Sequence, residues 1–167
     1  MSKKILFFGG QKSGKSKLAE LKTLELAQTS KPYYIATYDN SYGDNDMNTK
    51  IQKHINQRED MFHTIEQTSS LHSVVKDNQT YLVDCMTMWL LNNIESKEEE
   101  LLTQIEELFK NTANIIFVLN DINSGVIPLD KMSRDYVDKS GIIGQKLASL
   151  CDEVYEVKLG LPIKLKG

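Results

Sequence analysis

Eight residues near the start of the chain, Gly9-Gly10-Gln11-Lys12-Ser13-Gly14-Lys15-Ser16, bring together three glycines, two lysines and two serines. They fit G-x-x-x-x-G-K-[ST], the phosphate-binding P-loop. Glycines let the main chain turn and approach a ligand, and successive amide N–H groups at a helix N-terminus present positive ends to phosphate oxygens. Lys15 is placed to reach the terminal phosphates, and Ser16 to help hold Mg²⁺. The chemistry this spacing predicts is the grip and activation of a nucleoside triphosphate. The plainer alternative, a glycine-rich turn that binds nothing, does not need the whole pattern.

A triphosphate site of this kind works with a carboxylate at the end of a neighbouring strand, because Mg²⁺ takes oxygen ligands and reaches some of them through water. Two acids stand at such positions. Asp84 closes "TYLVD" and Asp121 follows "NIIFVLN". Asp84 is preferred, since its strand is apolar up to the acid and a helix follows at once; it could also cap that helix.

Three histidines occur. His63 in "FHTIE" and His72 after "TSS" read as structural. His54 lies in "MNTKIQKHINQRE", where helical spacing stacks Lys50, His54 and Arg58 in one row beside an apolar stripe of Met47, Ile51 and Ile55. Two flanking cations favour the neutral imidazole, whose free lone pair is a nucleophile, and can also neutralise phosphate. The same spacing equally describes a solvated helical face.

The elements that must position these groups alternate along the chain. "KKILFF" is followed by a helix from about Ser13 to Ala27, "PYYIAT" by the helix around His54, and "YLVDC" by a helical region from Met86 to Lys110. Then come "NIIFVLN", a helix from about Ser133 to Leu150, and "EVYEVKLGLPIKLK", read as a strand, a Gly-Leu-Pro turn and a closing strand. This order predicts an α/β fold, a mostly parallel central sheet flanked by helices with a C-terminal antiparallel strand. Tyr38 to Asp46 reads as an exposed loop, and Glu95 to Glu100 as the solvated start of a helix. With no internal repeat and no linker, residues 1–167 are expected to form one domain.

Composition sets outer limits. The 167 residues carry a net charge of −3, with 26% charged and 40% hydrophobic residues, so bulk charge gives no reason to expect a nucleic-acid partner. Cys85 and Cys151 are far apart and suggest neither a disulfide framework nor a thiolate metal site. No stretch approaches the length of a membrane span, and the apolar run after Lys4 is too short for a signal peptide. A cytoplasmic protein is the expectation.

Taken in order, "GGQKSGKSKLAE", "YYIAT", "KIQKHINQR", "TIE", "YLVDCMTMWLLNNI", "VLNDINSGVIPLD" and "DEVYEVKLGLPIKLK" resemble the bifunctional adenosylcobinamide kinase/adenosylcobinamide-phosphate guanylyltransferase family of cobalamin biosynthesis, from about Ile5 to Lys166. The resemblance implies a P-loop NTPase-like fold and two reactions. ATP or GTP would phosphorylate adenosylcobinamide, and GTP would then donate GMP, through a GMP-histidine intermediate, to adenosylcobinamide phosphate. The histidine of the family's helix motif falls on His54, which the resemblance makes the nucleophile.

By the same carry-over, Gly9 to Ser16 hold phosphates, with Lys15 in the catalytic set. Ala36, Thr37 and Tyr38 lie along the nucleotide, as do Ile55, Asn56, Gln57 and Arg58. Glu66 stands near guanine, where a carboxylate accepts from ring N–H and amino groups. Ser16 and Asp84 are the metal positions, and the subunits resemble blades of a homotrimer. The chain departs from the family pattern at Asp121 and Asn123, where many members have glutamate and glycine, and at Ile142 and Gly144, where they have arginine and asparagine. These departures bear on the corrinoid contacts and the kinase half. The competing readings are a single-activity kinase or guanylyltransferase and a GTP-binding protein without turnover.

Overall fold

The structure is a computed structural model that describes residues 1–39 and 58–167. Seven strands form one sheet: β1 (Lys4–Gly9), β2 (Tyr33–Ala36), β3 (His63–Glu66), β4 (Thr80–Asp84), β5 (Asn114–Asn120), β6 (Glu153–Lys158) and β7 (Leu161–Lys166), in the order β3-β2-β4-β5-β1-β6-β7. Every neighbouring pair is parallel except β6 and β7. Among the described residues the helices are α1 (Lys15–Ala27), α2 (Met86–Asn92), α3 (Glu98–Phe109) and α4 (Lys131–Leu150), with a 3-10 turn at Leu71–Ser73. This is the expected α/β, P-loop NTPase-like architecture, with its antiparallel strand at the C-terminus.

The central strands are apolar on both faces because both are covered. In β1, Ile5 and Phe7 face α1, while Leu6 joins the opposite core with Phe8 against it. In β5, Ile116 and Val118 take the first side and Ile115, Phe117 and Leu119 the second. Helix α1 lies on the sheet through Lys15, Ala19, Thr23 and Ala27, one residue every four. Small side chains on that stripe let the helix axis come close to the strands. The other face is filled by Trp89 and Leu90 of α2, Leu101, Ile105 and Leu108 of α3, and Ile143 and Leu147 of α4.

Several boundaries differ from the sequence expectations, each for a local reason. The expected helix from Met86 to Lys110 is two helices. The Asn93 side chain donates to the Trp89 carbonyl at 2.6 Å, taking the acceptor that a continuing helix would use, and Lys97 restarts the chain, its N–H donating to Glu100 at 2.9 Å. Helix α4 begins at Lys131 rather than Ser133 because Asp130 accepts from the Ser133 N–H at 2.8 Å. The last turn is centred on Leu159 and Gly160, both with positive φ (52° and 78°), instead of on Gly-Leu-Pro, so Pro162 sits inside β7 on the sheet edge. His63 opens β3, exposed and beside the Tyr33 ring, and His72 is exposed in the 3-10 turn. The helix expected around His54 and the loop from Asn40 to Asp46 lie outside the described residues.

Candidate nucleotide site

The first strand delivers the P-loop to the C-terminal edge of the sheet. Gly9, its last residue, sits between Asn120 of β5 and Val157 of β6. A Cβ at Gly9 would lie 2.5 Å from the Val157 carbonyl oxygen, so only glycine fits. The loop then turns through Lys12 and Gly14, whose φ angles are 54° and 94°, and α1 starts at Lys15. The Gly10 carbonyl accepts from the Ser13 N–H at 3.2 Å and from Lys15 Nζ at 3.0 Å. Ser13 Oγ is buried and has no hydrogen-bond partner among the described residues.

Lys15 is only 5% exposed and makes no ion pair among the described residues. Burial lowers its pKa from the usual lysine value, and Asp84 followed by Cys85 oppose that shift. An ammonium in this position gains more from an incoming phosphate than a solvated one would, since part of its desolvation already comes with folding.

Asp84 ends β4, level with Ala36 of β2. Its Oδ2 accepts from the Tyr34 hydroxyl at 2.9 Å, and Oδ1 has no partner among the described residues. Burial, then Asp84 itself, holds the Tyr34 phenol well above its ordinary pKa, so it stays a donor. The Arg58 guanidinium lies 4.2 Å over the Tyr34 ring and its Nε donates to Glu20 at 2.7 Å. The alternative role of Asp84 as a helix cap is not taken up, because Cys85 occupies the N-cap of α2 and no side chain caps it. Asp121 instead accepts from the Asn123 N–H at 3.1 Å, within its own loop.

These groups surround one cavity of about 540 Å³. Of the sequence-predicted residues, Gln11, Lys12, Ser13, Gly14, Lys15, Ser16, Ala36, Tyr38, Arg58, Glu66 and Asp84 reach its wall. Gly9 and Gly10 do not line it. Thr37 is fully buried, and its hydroxyl is spent on the main chain of Cys85, donating to the carbonyl at 2.7 Å and accepting from the N–H at 2.9 Å; Asn92 takes its carbonyl at 2.7 Å. Its role is to clamp the ends of β2 and β4 together. His54, Ile55, Asn56 and Gln57 lie outside the described residues.

The wall also includes Lys17, Tyr34, Cys85, Met88 and Asn120, which sequence reading did not single out. One signal could have found them: in open α/β sheets ligands bind beyond the carboxyl ends of the strands, and Tyr34, Cys85 and Asn120 all stand at or just inside such ends. The Cys85 thiol is pushed up to about 11 by burial and by Asp84, so it is no nucleophile at neutral pH. Asn123 and Gly144, two of the departures from the family pattern, line a separate, mostly apolar cavity of about 270 Å³ under α4.

The donor set suits Mg²⁺: one carboxylate with a free oxygen and one hydroxyl, Ser16, leave most of an octahedron to water and phosphate oxygens. Among the described residues no cluster of three or more His, Cys, Asp or Glu side chains could cage a metal by itself.

Residues 5–165 match the family model for cobinamide kinase / cobinamide phosphate guanyltransferase. The chain is 36% identical to the bifunctional adenosylcobalamin biosynthesis protein CobP of Pseudomonas aeruginosa, over 97% of this chain and 96% of that protein. It is 27% identical to the Escherichia coli protein CobU of the same description, over 97% and 99%. A solved Pyrococcus horikoshii OT3 protein, studied as Project ID PH0250, shares the fold with a TM-score of 0.53 at 11% identity, over 99% of this chain and 86% of that one.

Proposed function

The chain belongs to the cobinamide kinase / cobinamide phosphate guanyltransferase family and is a transferase of phosphorus-containing groups, and from that premise we propose that it carries out both reactions at the P-loop cavity, the second through His54. The observation that carries this reading is the convergence of Lys15, Ser16, Asp84 and Glu66, drawn from three separate segments, on one cavity beyond the sheet edge.

In the first reaction the hydroxyl of the aminopropanol arm of adenosylcobinamide attacks the γ-phosphorus of ATP or GTP, and the nucleoside diphosphate leaves. The P-loop amides and Lys15 take up the charge that builds on the phosphate oxygens. In the second, the neutral imidazole of His54 attacks the α-phosphorus of GTP, a P–N bond forms and pyrophosphate departs. A phosphate oxygen of adenosylcobinamide phosphate then attacks the same phosphorus, the P–N bond breaks, and adenosylcobinamide-GDP leaves with the imidazole restored. Glu66 would accept from the guanine N–H groups and so select GTP. Ser16 and Asp84 would hold Mg²⁺, which supplies charge neutralisation when bound. The same reading takes residues 1–167 as one nucleotide-binding domain of a cytoplasmic homotrimer.

The test uses GTP labelled with ³²P at the α-position. Acid-labile, alkali-stable label on the wild-type protein that vanishes in His54→Ala supports the transferase step; equal label on both removes His54 from it. Supplying adenosylcobinamide and its phosphate in separate assays reports the two half-reactions independently, and a protein with a single activity turns over only one of them.

A further inference from the structure

The closing strand of the last hairpin contributes nothing to the core. Every residue of β7 is exposed, and Leu159, Leu161 and Leu165 are largely in solvent. Yet its turn touches the P-loop. The Gly160 N–H donates to the Ser13 carbonyl at 2.7 Å, and a Cβ on Gly14 would lie 3.1 Å from the Gly160 Cα. Two main chains meet here without side chains between them. Further back in each segment the approach is as close, with the Val157 carbonyl 2.5 Å from where a Gly9 Cβ would stand.

This contact has a directional consequence. In a trans peptide the carbonyl and the following N–H point opposite ways. With the Ser13 carbonyl held by Gly160, the Gly14 N–H is turned away from the hairpin, and Gly14 lines the cavity. We propose that Gly160 is a positioning residue for the phosphate loop: its N–H fixes the Ser13–Gly14 peptide so that the Gly14 N–H is already aimed at a bound phosphate. The β6–β7 turn is thus a strap on the nucleotide site. The proposal rests on the reading of Gly9 to Ser16 as a phosphate loop.

Gly160 meets this role through its backbone alone. It has φ +78°, and a Cβ added there would meet nothing within 4 Å, so substitutions act through conformation rather than collision. A β-branched residue rejects that φ, whereas asparagine tolerates it. Gly160→Val is expected to bind GTP about tenfold more weakly than wild type, and Gly160→Asn to recover most of that loss. A second protein isolates the hydrogen bond. Ligation of a synthetic segment 151–167 at Cys151 can place an ester in place of the Leu159–Gly160 amide, which deletes the Gly160 N–H and leaves every side chain in place.

GTP affinity is measured by titration calorimetry for wild type, both variants, the ester protein and Lys15→Ala, with the unfolding midpoint of each recorded without nucleotide. The expected result is a loss of affinity of roughly five- to tenfold in the ester protein, the worth of one neutral hydrogen bond, in excess of any change in its nucleotide-free midpoint. An ester protein that binds GTP as wild type does, while Lys15→Ala loses binding, overturns the strap and leaves the phosphate loop standing. Wild-type binding that survives Lys15→Ala unchanged overturns the loop assignment and the strap with it. If Gly160→Val does not fold, the ester protein decides.

Discussion

The Tyr34 hydroxyl donates to Asp84 Oδ2 at 2.9 Å, joining β2 to the last residue of β4. Arg58 over the ring and Glu20 beyond it extend the contact to α1. The acid that faces the cavity is therefore held by a chain of side chains from three elements, with one oxygen left over for a ligand. Tyr34→Phe keeps the ring and its stacking on Arg58 but removes the donor. We expect a stability loss of about 1.5 kcal/mol, the low end for a bond to a charged partner because Asp84 is half-buried. A higher Mg²⁺ concentration should also be needed for half-maximal turnover. Chemical denaturation and a Mg²⁺ titration check the two parts, and an unchanged metal requirement would remove Tyr34 from the positioning of Asp84.

Thr37 makes a different kind of prediction. Its hydroxyl satisfies both the N–H and the carbonyl of Cys85 in a fully buried setting. Thr37→Val retains the shape and strands both groups, which should cost about 1–3 kcal/mol of stability. Thr37→Ser should keep most of it. Urea denaturation of the pair, with GTP affinity measured alongside, separates a clamp from a ligand contact.

Lys15 ties affinity to pH. Burial lowers its pKa in the nucleotide-free fold. The unfolded chain therefore holds this proton to higher pH than the folded one, and the free protein gains stability as pH rises from the lowered folded value toward 10.5. Nucleotide requires the ammonium, so GTP affinity should fall over that same alkaline window. Lys15→Arg, which stays charged, should flatten the fall. Binding isotherms on the alkaline side of neutrality test this, and a flat wild-type profile would mean that Lys15 is not the titrating contact.

Glu66 should decide which base is accepted. It closes β3 opposite Ala36, on the side of the sheet away from β1 and the loop that carries Lys15, with β2, β4 and β5 in between. Glu66→Ala should raise the KM for GTP roughly tenfold or more, the worth of hydrogen bonds to a charged acceptor, and leave the KM for ATP in the kinase assay nearly unchanged. Equal losses for both nucleotides would assign Glu66 a structural place.

Gly9 to Ser16 could be read without a fold because their chemistry is local: eight consecutive residues carry the turn, the amides, the cation and the hydroxyl. Apolar runs of four to seven residues separated by helical patterns likewise announced an α/β sheet, since burial on both faces demands continuous hydrophobic strands. Asp84 was legible by position, as an acid that ends such a run. The break between α2 and α3 was not, because it depends on where one amide, Asn93, sends its donors.

What the order of residues determined by itself is thus the phosphate-loop motif, the alternation of strands with helical segments and the acid that ends β4, all set by contacts within a few residues or by hydrophobic period. Tertiary structure alone decided that Tyr34, Cys85, Met88 and Asn120 share a wall with them, that Thr37 is a clamp, and that Gly160 touches Ser13. The reason is the strand order: β1 lies between β5 and β6, so residues more than a hundred positions apart meet at one sheet edge. No local pattern encodes which strands become neighbours, because that choice is made by the burial of whole faces.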